Sequence, residues 1–472
     1  MKDSIFRMYD IRGKVGSELN VDQVYDFGRA IALYFLQRSP EVKTIAVGMD
    51  GRTHSPAIKE KLCAALQDSG MNVLFVGTCP SPVLYFALYT QPVQAGIMIT
   101  ASHNPGEYNG FKILLNKDGV WGQQIQEIKK LFQEKKHIET KSKGIYQEKS
   151  MVEPYVDWTA EHFKQLVGSD ISVMIDCGNG AAGTTLPRLI KKMNWPNVKL
   201  LFPEVDGTYP HHEADPTVEK NMLDLKKELA IRRVDFGAGL DGDCDRMAPM
   251  TKDGFLVPGD QLLAVFAQQV LKTHPGSAVV FDIKSSSGLI ELLEKWGAKP
   301  HMSATGHSLI KAAVKKNKAL LAGELSCHFV FQDRHFGFDD GIYALLRLFE
   351  IMVGTKKSLQ ELISIFPKKY SSPEFRIACD DAAKWDIVET VKKTFKKRDD
   401  VKTVTIDGVR ANMSYGWGIV RAANTQPALS MRFEANSADD LQKVKEDFFE
   451  ALKSHFDEMS LKKQMNMRRN FL

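Results

Sequence analysis

The chain has 472 residues, which at roughly 150 residues per domain allows about three or four domains. Hydrophobic content of 43% and charged content of 26% match ordinary globular proteins and exclude disorder, collagen and a coiled coil as the main class. Lys and Arg number 63 against 58 Asp and Glu, and a net +5 spread over so long a chain excludes a dedicated nucleic-acid binder.

The N-terminus, Met1-Lys-Asp-Ser-Ile-Phe-Arg-Met-Tyr-Asp10, carries charges where a signal peptide needs its apolar region. No stretch reaches the ~18 uninterrupted apolar residues of a membrane span. Six cysteines, Cys63, Cys79, Cys177, Cys244, Cys327 and Cys379, are scattered without a C-x-x-C pair. The expectation is a soluble, cytoplasmic, unexported protein with no membrane partner, no disulfide framework and no zinc ribbon.

Three segments open alike, with a short apolar strand ending in Asp, a Gly/Ser loop and a helix: Thr44 to Asp50, Ile171 to Asp176, and Ala278 to Asp282. Apolar residues follow at helical spacing, such as Ile58, Leu62, Ala65 and Leu66 in the first and Leu289, Leu292, Leu293 and Trp296 in the third. Each unit then offers a second apolar strand and a polar loop: AGIMIT before Ala101 to Pro105, FGAGL before Asp241 to Arg246, and ALLAGEL before Ser326 to His328. Returns are expected at Asp118-Gly119, Asp253-Gly254 and Asp340-Gly341. Alternating strands and helices imply mixed or parallel sheets, whose ligands sit at the carboxyl ends of strands. The three polar loops therefore belong at equivalent ends of related sheets.

The last hundred residues break the pattern. Strand-like runs at Val409 to Met413, Trp417 to Arg421 and Leu429 to Phe433 precede a helix from about Ala438. Ser437 and Asp440 give it a capping-box-like start, and Leu441, Val444, Phe448 and Leu452 its apolar stripe. Linkers are read at Thr140 to Ser150 and around Pro367, Ser371, Ser372 and Pro373. The fold class is α/β with four domains, three related mixed-sheet domains and a C-terminal α+β domain around a central cleft, divided at 1–149, 150–254, 255–367 and 368–472. The Lys-rich stretches at Lys129 to Lys136 and Lys392 to Lys397 read as solvated helix faces.

Thr100-Ala-Ser-His-Asn-Pro105 sets a hydroxyl, an imidazole and an amide together after a strand, making Ser102 a candidate nucleophile against the alternative of a plain Ser/Asn/Pro turn. Asp241-Gly-Asp-Cys-Asp-Arg246 places carboxylates at i, i+2 and i+4, on one side of an extended loop. An EF-hand fails, because Arg246 stands where Gly is needed and Lys252 where Glu is needed. Mg²⁺ with few protein ligands and a phosphate oxygen fits better. Gly178-Asn-Gly-Ala-Ala-Gly183 matches G-x-G-x-x-G and has Glu204 about 20 residues on, but nothing elsewhere resembles a hydride-transfer pocket. His211-His212 with Asp215 lacks further ligands at zinc spacing.

Tyr9-Asp-Ile-Arg-Gly13, the Ser102 loop, the Asp241 loop, Gly323-Glu-Leu-Ser-Cys-His328 and Arg421-Ala-Ala-Asn-Thr425 follow one another in that order. Together they resemble the α-D-phosphohexomutases, in particular the bacterial phosphomannomutase/phosphoglucomutase branch. The resemblance implies a heart-shaped four-domain enzyme that moves phosphate between O1 and O6 of a hexose. Its serine, here Ser102, is phosphorylated at rest, and a hexose 1,6-bisphosphate is intermediate and activator. It implies that Ser102, Asp241, Asp243 and Asp245 hold Mg²⁺, and that Arg12, Lys112 and Arg246 stand near the reacting phosphate, Arg12 having a structural ion pair as its alternative. His307 and His328 are implied candidates for moving the hydroxyl proton, with Lys112 competing. Tyr9, Glu324 and Ser326 match sugar-contacting positions, Arg421, Asn424 and Thr425 the phosphate cradle, and Lys284, with Ser285, either touches ligand or lies on a surface loop. The expected partners are sugar phosphates, with the chain a monomer.

This sequence departs from the family pattern at Ala423, where the cradle usually carries serine, and at Cys327, where glycine is common. Leu325 and Asn424 differ from the Gln and Gly of phosphoglucosamine mutases, tilting the expected substrates toward mannose and glucose phosphates. The competing readings are a phosphoglucosamine mutase, a metal-dependent phosphatase using Ser102, a sugar-phosphate sensor without turnover, and the dinucleotide oxidoreductase.

Overall fold

The computed structural model describes residues 1–423, 428–457 and 461. The first sheet centres on Thr44–Met49, flanked by the parallel strands Asn72–Thr78 and Ala95–Ile99, and the antiparallel strand Tyr108–Leu115 follows Ala95–Ile99. The second runs Val198–Leu201, Val173–Asp176, Phe236–Leu240, then antiparallel Met247–Thr251. The third runs Lys299–Ser303, Ala278–Asp282, Leu321–Gly323, then antiparallel Phe329–Phe331. Each thus repeats one order, second strand, first, third, fourth, with only the fourth reversed. The reversal has a local cause: a short polar loop, and no crossover helix, joins the third strand to the fourth, so the chain turns back on itself. The same connection therefore carries Ser102, the three aspartates and Glu324 at matching ends of three sheets.

The helices behave as their spacing predicts. Ile58, Leu62, Ala65 and Leu66 are buried on Ser55–Asp68, and Leu289, Leu292 and Leu293 on Ser287–Lys295. One continuous apolar core joins all three units, combining helix Ser81–Thr90 of the first, Val152–His162 and the second sheet, and Gly341–Thr355 of the third. The C-terminal sheet, built on Val409–Met413, Gly416–Ala422 and Ala428–Ala435, keeps its own core under Val444, Phe448 and Leu452 of helix Ala438–Leu452. Its contact with the third unit is mostly polar: Ile283 meets Trp417 and Ile419, and Arg410 Nη1 donates to the carbonyls of Ile283 (2.8 Å) and Ser285 (2.7 Å).

Three expectations need correction. Asp340-Gly341 is no return between strands: Asp340 caps helix Gly341–Thr355 by accepting from Tyr343 N, and Gly341 must be small because a Cβ would lie 2.6 Å from the Arg246 carbonyl. The polar run Thr140 to Ser150 is more than a linker, since Tyr146–Glu148 pairs as an edge strand on Asn72–Thr78. Tyr370–Ser371 likewise belongs to the last sheet, pairing with Ala435 and Glu434. Edge strands are short and polar, so their composition is that of a loop. Among the described residues no helix is long and apolar enough to cross a membrane.

Candidate active site

Ser102 sits immediately after the strand Ala95–Ile99, with φ of +51° and only 1% of its surface exposed. A non-glycine residue in the left-handed region is strained and persists only where its surroundings enforce it. Arg52 is the enforcer. This fully buried guanidinium donates to the carbonyls of Ser102 (2.8 Å), Asn104 (2.6 Å), Pro105 (2.6 Å) and Tyr108 (2.9 Å), and through Nε to Asp50 at 3.1 Å. Thr100 Oγ1 donates to Asp50 and accepts from Ser102 N, so the turn is tied on both sides.

From this turn Ser102 Oγ donates to Asp241 Oδ2 at 2.8 Å, spanning 139 residues of sequence. His103 Nδ1 lies 3.2 Å from Ser102 Oγ. Burial, with Arg246 and Arg12 near, pushes the His103 imidazole well below its ordinary range, so it stands neutral and donates to an Oγ whose own proton goes to Asp241.

Asp241, Asp243 and Asp245 are all fully buried and converge as one ligand set. Three carboxylates in a dry pocket repel one another: burial and then Asp245 and Asp243 push the Asp241 carboxyl well above its usual range. Lys112 supplies part of the compensation, its Nζ donating to Asp243 Oδ2 at 2.6 Å and also bonding Asp245 Oδ2. Burial would lower the Lys112 pKa, but the two carboxylates outweigh it and hold the ammonium charged. Asp243 Oδ1 nevertheless remains buried without a hydrogen bond, and Asp245 Oδ1 has the His328 ring at 3.2 Å as its neighbour. An oxygen left bare at this depth, on a set of hard ligands, fits a divalent cation. The acidic triad thus has an arrangement able to hold a metal ion.

Gly242 lets the two loops meet. A Cβ there would fall 2.5 Å from the Ser102 carbonyl and 2.8 Å from Tyr209 OH. Gly242→Ala is expected to push the metal loop off the serine turn, lowering turnover on the order of 10²-fold, as misplacement by about 1 Å does. Overpacking should cost about 1–3 kcal/mol of stability, read by a thermal melt beside a rate assay.

The third loop closes the other side. Burial would lower the His328 pKa, but Asp245, 3.2 Å from Nε2, and Glu324, 3.0 Å from Nδ1, raise it to about 9. With both ring nitrogens facing carboxylates the ring is an imidazolium, so Arg246 Nε at 3.3 Å is a like-charge neighbour and not its hydrogen-bond donor. Arg246 N donates to Asp241 Oδ1 at 3.2 Å. Glu324 is 2% exposed and accepts from Gly306 N at 2.7 Å. Ser326 Oγ lies 3.4 Å from His328 Nδ1. Cys327 has φ of +66°, which explains why glycine suits this position.

Arg12 pairs with Asp10, as the structural alternative expects, and its Nη1 also donates to Asn104 Oδ1 at 2.8 Å and the Ala101 carbonyl at 3.2 Å, which brings it to the serine turn. The ring of Tyr9 lies against Gly306, where a Cβ would come within 2.8 Å. Lys284 is not on a surface loop: it is buried and its Nζ bonds Glu374 of the C-terminal unit at 3.0 Å. Arg421 is buried with Nε donating to Asp407 at 2.9 Å, and Asp407 also accepts from Thr305 N at 3.1 Å. Asn424 and Thr425 lie outside the described residues. At Ala423 the N–H bonds the Ala428 carbonyl and the carbonyl accepts from Lys384 Nζ, so this residue's own backbone is already committed.

The two motifs set aside have structural uses. Gly180 and Gly183 would, with a Cβ, collide with the carbonyls of Gly242 (2.9 Å) and Pro203 (1.8 Å), and Ala181 N donates to the Gly242 carbonyl, so this turn props up the metal loop. His211 stacks on Phe202 with centroids 3.8 Å apart, while His212 Nε2 faces Asp176 at 3.1 Å.

Comparison with known proteins decides the family. Sequence models of the four phosphoglucomutase/phosphomannomutase domains match residues 3–139 (alpha/beta/alpha domain I), 153–254 (domain II), 258–370 (domain III) and 374–451 (C-terminal domain). The chain belongs to the phosphoglucomutase/phosphomannomutase family. A phosphomannomutase/phosphoglucomutase of Pseudomonas putida is 41% identical over 454 residues, 95% of each chain. A phosphoglucomutase of Neisseria gonorrhoeae is 38% identical over 96% of this chain and 97% of its own. The crystal structure of a family member from Burkholderia thailandensis superposes with a TM-score of 0.88 at 33% identity, covering 96% of this chain and 98% of that one. The family's four-domain division accounts for the three repeated sheets and the separate C-terminal core.

Sequence reasoning missed Arg52, Asp50, Asp407 and Glu374. For Asp50 and Arg52 a signal was available: Asp50-Gly-Arg52 directly follows the first strand, just as Asp241-Gly-Asp243 follows a strand in the second unit.

Proposed function

We propose that this chain interconverts hexose 1-phosphates and hexose 6-phosphates, of mannose and glucose, through a phosphorylated Ser102 and a hexose 1,6-bisphosphate that also serves as activator. The observation that carries this reading is the convergence of Ser102, three aspartates and Lys112 from two separate units in a buried pocket. Nothing in ordinary fold stability calls for five such groups together, and phosphoryl transfer asks for this: alignment and charge neutralisation.

Ser102 Oγ is the atom that carries and accepts the phosphoryl group. The carboxylates of Asp241, Asp243 and Asp245, with an oxygen on Ser102, would hold Mg²⁺, which supplies positive charge against the phosphoryl oxygens. Lys112, Arg12 and Arg246 neutralise the remaining charge, and the side chain of Arg246, 12% exposed, is available to the cleft. For the proton of the sugar hydroxyl, His328 is favoured over His307: Glu324 and Asp245 orient its ring, which as an imidazolium gives a proton to the leaving sugar oxygen in one half of the cycle and, neutral after that transfer, takes the proton of the attacking hydroxyl in the other. Glu324 and Ser326 orient the sugar hydroxyls, aided by Tyr9 and Lys284. Arg421 anchors the non-reacting phosphate together with Asn424 and Thr425.

Burial of the serine and triad favours a mutase over a phosphatase, since water is kept from the phosphoserine. The bisphosphate must turn over to present its second phosphate. The polar seam of Arg410, Lys284 and Glu374, beside a C-terminal core of its own, is where the cleft would open. We assign the domains to 1–149, 150–254, 255–367 and 368–472, and the active form to a cytoplasmic monomer.

Intact-mass measurement of the purified protein is expected to show one phosphate, absent from Ser102→Ala. A coupled assay on mannose, glucose and glucosamine 1-phosphates with a trace of bisphosphate should give turnover of the first two above the third. Chelator treatment should abolish turnover and Mg²⁺ restore it. Inorganic phosphate released without isomerised sugar would overturn the assignment.

A further inference from the structure

One carboxylate of the C-terminal unit serves two units at once. Asp407 Oδ2 accepts from Arg421 Nε at 2.9 Å and from Thr305 N at 3.1 Å, so a single oxygen holds a side chain of its own unit and a backbone amide of the third. The contact is well covered: the side chain of Arg421 is 7% exposed and that of Asp407 14%. Gly408 makes this approach possible. Its φ is +74°, and a Cβ there would fall 2.3 Å from the Val420 carbonyl and 2.7 Å from Arg421 Cα, so the turn that carries Asp407 lies directly on the strand Gly416–Ala422 that carries Arg421.

The bond to Arg421 decides which side of the guanidinium a phosphate can use. A planar guanidinium grips an anion by paired bonds either through Nε with one Nη or through the two Nη together. With Nε on Asp407, paired bonding falls to the Nη1 and Nη2 edge. An arginine already fixed in this way has given up its rotamer freedom before substrate arrives, which is the usual source of preorganised affinity. Thr305 leads to the sugar. Its neighbour Gly306, at φ of +131°, gives its own N–H to Glu324 Oε1 at 2.7 Å, and the Tyr9 ring lies against it. Two successive amides of one loop therefore bind Asp407 and Glu324.

We propose that Asp407 is a positioning residue for substrate binding: it turns the Nη edge of Arg421 to the phosphate and, through Thr305, fixes that arginine relative to Glu324, so that phosphate and sugar ring are gripped at a set spacing. The bond to Thr305 crosses between units, so it forms only while the C-terminal unit stands against the third. The inference rests on the assignment of Arg421 to the phosphate under the mutase reading.

Binding of mannose 6-phosphate to the full-length protein is measured by calorimetry, and turnover by the coupled assay, for the parent, Asp407→Asn, Asp407→Ala, Arg421→Ala and the double variant Asp407→Ala with Arg421→Ala, each checked for folding by a thermal melt. Loss of a charge-assisted hydrogen bond should weaken binding by about tenfold in Asp407→Asn, which keeps the shape without the charge, and by up to about 100-fold in Asp407→Ala. KM should rise in step while kcat changes less than about threefold, the pattern of lost uniform binding. Once Arg421 is absent, removing Asp407 should weaken binding by less than about threefold, because residues acting through one another are not additive. Binding as in the parent by both Asp407 variants would overturn the proposal, and so would tighter binding, which would make Asp407 a competitor of phosphate. An equal loss with Arg421 absent, or a fall in kcat at constant KM, would overturn it as well. A parent that binds mannose 6-phosphate without isomerising it would refute the mutase reading, while the binding comparison would still decide the role of Asp407.

Discussion

Ser102→Ala is expected to fold normally and to lose mutase turnover on the order of 10⁶-fold, the scale seen when a covalent nucleophile is removed. The stability effect should be small. Ala accepts a φ of +51° no worse than Ser does, and the turn is held by Arg52 through main-chain carbonyls that the substitution leaves in place. What is lost is one hydrogen bond to Asp241, worth about 0.5–1.5 kcal/mol or less, since Asp241 is already crowded by its neighbours. No substitute acceptor stands ready: the hydroxyl of Thr100 is committed to Asp50 and to Ser102 N, and that of Ser81 to Asp243. A coupled assay with a matched thermal melt makes the measurement. Turnover at the parent rate would remove Ser102 from the mechanism, while an equal fall in stability and rate would point to misfolding.

The two features most exposed to error in the sequence, the faint threefold repeat and the clustering of its polar loops, are the ones the structure bears out. Both are periodic properties of strands and of the order in which loops follow them, and they survive divergence of individual residues. The convergence of Asp241, Asp243 and Asp245 was legible because alternate residues of an extended loop face one side, whereas the Ser102 loop read equally as a plain turn until the family resemblance singled it out. Lys112 and Arg12 drew their roles from resemblance alone; their spacing says nothing, since the partners of Lys112 lie 131 and 133 residues away. Edge strand Tyr146–Glu148 stayed hidden in a polar run because all three of its residues are exposed and no apolar alternation marks it. Asp407 and Glu374 were invisible for a different reason. Their partners, Thr305 N with Arg421, and Lys284, come from distant segments, and an acid's burial depends on what covers it.

Arg52 carries the largest expected effect on stability. Arg52→Met retains much of the bulk and removes every donor, leaving four carbonyls of the serine turn and the Asp50 carboxylate without their buried cation. Breaking one side of a buried pair costs about 3–5 kcal/mol, and the turn that presents Ser102 should lose its left-handed residue as well. Arg52→Lys should recover little, because an ammonium cannot reproduce the fork that reaches these carbonyls. The contact of the guanidinium with the Tyr209 ring, 5.1 Å from its centroid, would also go, loosening the first unit from the second. The deficit has a pH signature. Burial raises the Asp50 pKa even with Arg52 lowering it, so without the guanidinium the native carboxyl rises further above its unfolded value near 3.9. An acid whose folded pKa is raised loses stability as pH climbs from its unfolded pKa through its folded one. The difference in melting temperature between parent and Arg52→Met should therefore be least near pH 4, where the loss of the four carbonyl bonds remains, and widen toward neutrality. A difference that stays constant across that range would mean Arg52 acts by packing and not as the counter-charge of Asp50.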